Sequence, residues 1–365
     1  MSSTTMPPVV SVLIPMRNEE HCIARCLDSV LANDYPKDRL EILVIDGMST
    51  DWSREIIRRY TKRYSFLRLL KNPRYIQAAA LNIGLGEAKG EIIIRMDAHA
   101  VYAQDYISQC VRLLQTTDAA NVGGVQRAVG TGYVSDTIAV ATTLPFGIGD
   151  ARFRYSDREE WVDTVYLGAW YKKRLETIGG FNEEWVVNED YELNYRLRQA
   201  GGKILLSPKI CCHYYVRGSL KTLVHQYFRY GLWKVKTLVA HPDSLRWRHL
   251  VPPLFVLSLV VSSALIPVFW VASVMVPGLY IITNLAVSFW TVRRRGWRYL
   301  PLLPFVFAIL HVSWGVGFWV GLVLFRIPHF SLSSLLRSLR TPERERGYDP
   351  ERKGRYRKNI NKMKC

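Results

Sequence analysis

Between Leu250 and Val292 the chain carries no Lys, Arg, Asp or Glu at all. A helix of about 20 apolar residues crosses the hydrocarbon core of a bilayer, and so long an uncharged run has few other stable homes. The sequence therefore predicts two membrane spans between about Leu250 and Val292, broken near Pro267 or Pro277, and a third between about Leu300 and Phe325. Just ahead of them, Leu220, Leu223, Tyr227, Phe228, Leu232, Val235 and Leu238 share one helical stripe, with Lys221, Arg229, Lys234 and Lys236 off it. That pattern suits a helix lying in the bilayer interface. The expected division is a cytosolic domain at residues 1–218, an interfacial amphipathic helix at 219–248, a transmembrane region at 249–326 and a basic tail at 327–365.

Orientation follows from the ends of these segments. Met1 to Pro8 is polar and proline-containing, without the basic and apolar parts of a signal peptide, which keeps the first domain in the cytosol. Three spans would then carry the basic tail outside, against the tendency of Lys and Arg to remain on the cytoplasmic side. Either Leu300 to Phe325 is a re-entrant hairpin, helped by Gly315, Gly317 and Gly321, or the charge rule yields.

The net charge of +18 is compatible with nucleic acid, anionic lipid or a phosphorylated substrate. Much of the excess lies beside the apolar spans, in Arg293-Arg294-Arg295 and from Arg326 to Lys364, where anionic headgroups attract it. No zinc-finger spacing or other nucleic-acid module is present, so nucleic acid is not an expected partner. The six cysteines form no CxxC pair, which fits a reducing compartment and ordinary packing.

The first domain alternates strand and helix. Val9 to Ile14, Glu41 to Ile45, Phe66 to Leu69 and Ile92 to Met96 read as short buried strands, separated by helical periodicity with Asn18 and Asp51 as N-caps and by a helix at Ala78 to Ala88. Near-continuous apolar strands joined by helices make a mostly parallel sheet covered on both faces. Ligands of such sheets bind at the carboxyl ends of the strands. Polar clusters stand there: Pro15-Met16-Arg17-Asn18-Glu19-Glu20, Asp46-Gly47-Met48-Ser49-Thr50-Asp51 and Asp97-Ala98-His99. Asp97 and His99, two positions apart in an extended segment, can share one side and clamp a hard divalent cation when a diphosphate supplies further oxygens. No GxGxxG follows the first strand, which disfavours a dinucleotide fold. Thr131 to Asp163 has no clean period and reads as loop-rich, with Arg152, Arg154 and Arg158 as candidate anion contacts.

Taken in order, these clusters resemble the family 2 glycosyltransferases, whose nucleotide-sugar-binding fold is GT-A. Ile14-Pro15-Met16-Arg17-Asn18-Glu19 is similar to the family's strand-end Pro-x-x-Asn-Glu, Asp46 to Asp51 to its second acidic motif, and Asp97-Ala98-His99 stands where the family has Asp-x-Asp. Gly179-Gly180-Phe181 and Asn188-Glu189-Asp190 resemble its acceptor-side glycines and base-supplying acidic pair. Asp-Ala-His, followed by Ala100 and Asp105-Tyr106, is most similar to the branch typified by succinoglycan biosynthesis transferases. Gln226-Tyr227-Phe228-Arg229-Tyr230 resembles the Gln-x-x-Arg-Trp of processive synthases, but Tyr230 replaces the Trp and the apolar stretches are few for a polymer channel. Both departures favour single-sugar addition.

The resemblance implies an α/β GT-A catalytic domain and inverting transfer from a nucleotide diphosphate sugar, a UDP-sugar favoured, to a polyprenyl-diphosphate-linked saccharide at the cell membrane. It implies Asp190 as base, with Glu189 the alternative; Pro15, Arg17, Glu19 and Asp46 around the nucleotide; and Asp97 and His99, joined by His213, on Mn2+ or Mg2+. Arg229 and Gln226 would meet a diphosphate or the acceptor's phosphate, and Trp185 would stack on the acceptor sugar. The alternatives are a polyprenyl-phosphate sugar synthase and a membrane-anchored binding protein without activity.

Overall fold

The computed structural model describes residues 6–216 and 218–325, so the basic tail expected from residue 327 lies outside the described residues. Four parallel strands, β1 (Val10–Met16), β2 (Leu40–Asp46), β3 (Leu67–Lys71) and β4 (Ile92–Arg95), alternate with helices α1 (Ile23–Leu31), α2 (Ser53–Arg63) and α3 (Gln77–Glu87). There follow β5 (Ala100–Tyr102), α4 (Tyr106–Thr116), β6 (Ala119–Val129), α5 (Tyr133–Ala141), α6 (Pro145–Ile148), β7 (Glu160–Val162), β8 (Tyr166–Tyr171) and α7 (Lys172–Thr177). The domain closes with α8 (Glu189–Gln199) and β9 (Lys203–Tyr215). The strands form one mixed sheet in the order β3-β2-β1-β4-β8-β6-β9-β5, with β7 on β9.

Both faces of the parallel half are covered, as its near-continuous apolar strands require. Val12 and Ile14 of β1, Ile42 and Val44 of β2, and Ile92 and Ile94 of β4 share a core with Leu27, Ile57 and Ile107. The alternate residues Leu13, Leu43, Ile45 and Ile93 point the other way, onto Ala78 and Leu81 of α3 and Leu193 and Leu197 of α8. Beyond β4 the sheet turns mixed, because β8 runs antiparallel to both β4 and β6.

Two sequence expectations change here. Thr131 to Asp163 is not loop throughout, since α5 lies within it and buries Ile138 and Ala141 against Val306, Phe307 and Leu310. A nine-residue helix completed by a partner that far along the chain leaves little local periodicity. Asn18 does not cap a helix, because it takes a left-handed φ of 54° and the helix begins at Ile23.

Three further helices complete the described chain: α9 (Leu220–Ala240), α10 (Val251–Arg295) and α11 (Leu303–Leu324). The rings of Phe255 and Tyr280 lie 4.3 Å apart. A continuous helix would separate those residues by about 37 Å. α10 is therefore a hairpin of two antiparallel arms, reversing at Phe269, whose φ and ψ are not helical, next to the expected breaker Pro267. By length and hydropathy, Trp247–Val271, Ser273–Arg295 and Leu303–Leu324 are all candidates to cross a membrane. Large apolar side chains stand exposed along both arms, among them Val260, Ile266, Trp270, Met275, Leu279 and Ile282. So much apolar surface belongs in lipid.

Candidate active site

The loops leaving β1 and β2 are locked to each other. Asn18 N–H donates to Ser49 Oγ (2.9 Å), Thr50 N–H to Asn18 Oδ1 (2.9 Å), Glu19 N–H to Ser53 Oγ (2.8 Å) and Trp52 N–H to Glu20 Oε2 (2.9 Å). The left-handed Asn18 and Met48 bring these short polar residues face to face. Asp46, 1% exposed, anchors the second loop: Oδ1 accepts from Ser49 N–H at 3.0 Å and Oδ2 from Arg54 Nε at 2.5 Å. Each oxygen keeps further lone-pair capacity for a ligand. Pro15 is buried at the end of β1, and exposed Arg17 sets its guanidinium over Tyr75, 4.9 Å from the ring centre.

The third cluster is built around a residue that carries no motif. Arg95 ends β4 and, two positions before Asp97, projects with it to one side. It is 4% exposed, with Nε 3.3 Å from Asp97 Oδ1 and Nη1 3.0 Å from Glu189 Oε1. Tyr166 of β8 donates to Asp97 Oδ2 at 2.7 Å and Gln77 of α3 to Oδ1 at 3.2 Å. Burial alone would raise the Asp97 carboxyl, but Arg95, His99 and the Tyr166 hydroxyl outweigh it and hold the group below the usual carboxylate range. The acidic pair behaves in the opposite way. Burial pushes Glu189 and Asp190 up, with Arg95 compensating only in part; repulsion from Asp97 adds to the rise of both, and repulsion from Asp190 to that of Glu189. Glu189 is buried in its ion pair, whereas Asp190 is half-buried and accepts the Tyr191 N–H on Oδ1, at 2.7 Å. Their loop is held from α3: Asn82 donates to Phe181 O (2.8 Å) and Glu183 (2.9 Å) and accepts from Phe181 N–H (2.8 Å).

His99 Nδ1 lies 3.2 Å from Glu19 Oε1, which ties the first loop to the third, and its ring meets Tyr214 edge-on at 5.3 Å. The expected third ligand does not join it. His213 on β9 is exposed between buried Cys212 and Tyr214, and alternate residues of a strand face opposite sides. Tyr214 takes the side of His99, so His213 faces away. Among the described residues no three His, Cys, Asp or Glu side chains come together as a cation site. A carboxylate and an imidazole, as in Asp97 and His99, are a donor pair compatible with a divalent cation such as Mn2+.

Trp185 is likewise corrected. It is 2% exposed, donates Nε1–H to Thr237 Oγ1 of α9 at 3.1 Å and stacks on His241, so it fastens α9 to the domain and offers no face to a sugar. Gln226 donates to Tyr230 OH at 2.8 Å and shares a small cavity with Arg154, Tyr214 and Tyr227. Of the three arginines named from the sequence, Arg152 is held by Glu160 in a two-pronged contact (3.0 and 2.8 Å), Arg158 stands 3.9 Å from the same carboxylate, and Arg154 lies over the ring of Tyr214 at 6.0 Å. Arg229 sits half-buried one turn after Gln226.

A sheet with acidic clusters at successive strand ends, followed by apolar membrane helices, defines the chain as a membrane-associated enzyme of the GT-A class. Residues 11–175 match the family model described as glycosyl transferase family 2. The succinoglycan biosynthesis protein ExoA of Rhizobium meliloti is 31% identical over 89% of this chain and 99% of its own length. The dolichyl N-acetyl-alpha-D-glucosaminyl phosphate 3-beta-D-2,3-diacetamido-2,3-dideoxy-beta-D-glucuronosyltransferase of Methanococcus voltae is 27% identical over 86% of this chain and 97% of its own. Among solved structures, the mannosyltransferase PcManGT of Pyrobaculum calidifontis, in complex with GDP-Man and Mn2+, superposes with a TM-score of 0.59 at 22% identity, covering 85% of this chain and 88% of that one. The chain belongs to the family 2 glycosyltransferases and is a glycosyltransferase.

Proposed function

We propose that the protein transfers a single sugar, with inversion, from a nucleotide diphosphate sugar, a UDP-sugar favoured, to a polyprenyl-diphosphate-linked saccharide in exopolysaccharide or glycan assembly. The observation that carries this reading is the division of carboxylates around Arg95: Asp97 is held ionised, while burial raises the proton affinity of Asp190. Environments that push carboxylates apart assign them different tasks. The printed names of the relatives from Rhizobium meliloti and Methanococcus voltae support a polysaccharide or lipid-linked acceptor.

In this reading Asp190 accepts the proton of the acceptor hydroxyl as its oxygen bonds to the anomeric carbon. The bond from that carbon to the diphosphate oxygen breaks on the opposite face, and nucleoside diphosphate leaves with the electron pair. Asp97 and His99 would hold a divalent cation, Mn2+ or Mg2+, which supplies charge stabilisation for the diphosphate. Glu189 stays in its ion pair and orients Arg95. Glu19 fixes His99, and Asp46 with Arg17 and Pro15 borders the nucleotide. Gln226, which shares a cavity with Arg154, and Arg229, one turn further along α9, would meet the acceptor's phosphates. The protein would sit in the cell membrane with its catalytic domain cytosolic, as the basic Arg293-Arg294-Arg295 at the end of α10 favours.

The test uses purified protein in nanodiscs, a panel of UDP- and GDP-sugars, and two acceptors, polyprenyl phosphate and a polyprenyl-diphosphate-linked sugar. Turnover with the lipid-linked sugar, lost in Asp97→Ala and Asp190→Asn, is expected. A phosphate monoester needs no strong base, so turnover with polyprenyl phosphate that survives Asp190→Asn would replace this reading with the polyprenyl-phosphate sugar synthase.

A further inference from the structure

The third apolar helix, α11, has 22 residues. At about 33 Å it is long enough to cross a bilayer. Its neighbours hold it in another place. At its start, Leu303, Val306 and Phe307 share a cluster with Ile138 and Ala141 of α5, and Arg298 just before it reaches Asp136 at 3.4 Å. At its middle, His311 Nε2 is 2.7 Å from the carbonyl oxygen of Phe146 in α6. At its end, Phe318 packs with Val235, Leu238 and Leu245, and the ring of Phe325 lies 6.3 Å from that of Trp233. That end of α9 is itself fastened to the catalytic domain, by Lys236 Nζ on Glu184 O (2.6 Å) and by Tyr191 OH on Ser244 O (3.1 Å). Start, middle and end of α11 all lie against the catalytic domain or the helix laid on it.

The hairpin gives a second bearing. Among the described residues α11 meets it where Phe255 and Tyr280 pair, near the start of the first arm: Pro304 O accepts from Asn284 (3.0 Å), His311 contacts Tyr280 (2.9 Å), and Trp319 Nε1 donates to Pro253 O (2.9 Å). Both ends of α10 are also on the catalytic side, because Arg248 just before it pairs with Asp150 and Asp163 and Tyr299 just after it joins the α5 cluster. α11 runs across the foot of the hairpin, alongside α9. The two helices touch so closely that a Cβ on Gly231 would fall 2.0 Å from Trp314 O and one on Gly317 2.0 Å from Phe228 O. The side turned away from the protein is apolar: Phe305, Val316, Val323 and Leu324 are exposed, and α11 contains no charged residue.

We propose that α11 does not cross the membrane but lies in the plane of the bilayer, in the leaflet on the catalytic side, seating its Phe305 to Leu324 face among the acyl chains. Phe325 then leaves on the side where Leu303 entered. With the described end of the chain on the catalytic side, the excess of Lys and Arg over Asp and Glu in the remaining sequence no longer conflicts with the charge rule. The conflict between three spans and the placement of basic residues is thereby removed: the apolar hairpin starts and ends on one side, and α11 adds no crossing. The inference rests on the reading of the chain as a membrane protein and is independent of donor, acceptor and base.

The experiment uses the full chain in nanodiscs, with a nitroxide on Phe305→Cys, Val316→Cys or Val323→Cys in a background where Cys22, Cys211 and Cys365 are Ser. An in-plane helix places the three labels at one depth, within about 5 Å, whereas a crossing helix spreads the outer two over about 27 Å. A steady gradient of that size overturns the proposal. Sidedness is read separately in intact cells and inverted vesicles by labelling native Cys365 with an impermeant maleimide, against a reference at the exposed Lys62→Cys on α2. Equal sidedness is expected, and labelling of Cys365 from the face opposite the reference also overturns it. Neither readout requires turnover, so both stand if the activity reading fails.

Discussion

Replacing Arg95 with Met is the perturbation that the site reports most sharply. The guanidinium is 4% exposed and is the cation set against Asp97 at 3.3 Å and Glu189 at 3.0 Å. Met keeps most of the apolar stem but leaves buried carboxylates uncompensated. Removing one partner of a buried pair costs about 3–5 kcal/mol. For a domain of this size that corresponds to a fall in Tm of about 6–20 °C. The sign of the pH dependence adds a second check. Without Arg95 the folded-state pKa of Asp97 rises from below its unfolded value and that of Glu189, already raised, rises further, so the folded state binds more protons in the window between. The variant's deficit is then full above the raised values and shrinks as pH falls through them towards about 4. Asp190 also loses its compensating cation, so the acid limb of the rate profile moves to higher pH. Differential scanning fluorimetry in nanodiscs at several pH values, paired with initial rates, measures both. A Tm within about 2 °C of wild type at neutral pH, or a deficit that grows on acidification, would refute the reasoning.

Trp185→Phe removes the hydrogen bond to Thr237 and should cost about 1 kcal/mol of stability, read by thermal unfolding, while the acceptor KM stays unchanged. His213→Ala should leave metal activation as it is, and His99→Ala should weaken it by about tenfold or more in titrations of rate against Mn2+. Chelation should abolish nucleoside diphosphate release, with recovery on adding Mn2+ or Mg2+. In wild type, the folded pKa of Asp97 lies below its unfolded value, so its contribution to stability is present at neutral pH and is lost as pH falls through the folded value. Asp97→Asn should flatten the acid end of the unfolding curve.

The parallel half of the sheet is legible because β1, β2 and β4 are nearly continuous apolar runs, a pattern that few other folds accept. The polar clusters after β1, β2 and β4 stand at strand ends and so could be read as one site. Arg95 was equally visible, a lone charge inside Ile92-Ile93-Ile94-Arg95-Met96 on the same side as Asp97, yet its meaning depends on Glu189, which arrives from α8 far along the chain. Tyr166 and Gln77 give no such signal, because only the fold brings them to Asp97. His213 misled because a strand's alternation decides the matter, and which of Cys212, His213 and Tyr214 points inward follows from pairing with β5 and β6. Trp185 misled because its partner Thr237 belongs to a helix whose docking the sequence does not state. The apolar run at Leu250 to Val292 announced lipid, but composition cannot tell a crossing helix from one laid on protein. For α11 that difference is carried by Ile138, Phe146 and Leu245, none of which lies within it.

The most direct measurement of the central claim is the anomeric configuration of the transferred sugar, followed by NMR from the first turnovers of the donor identified in the acceptor panel. Attack by a hydroxyl deprotonated at Asp190 on the face opposite the departing diphosphate gives a β product from an α donor. Retention of the donor's configuration, or unchanged turnover in Asp190→Asn, would contradict the account.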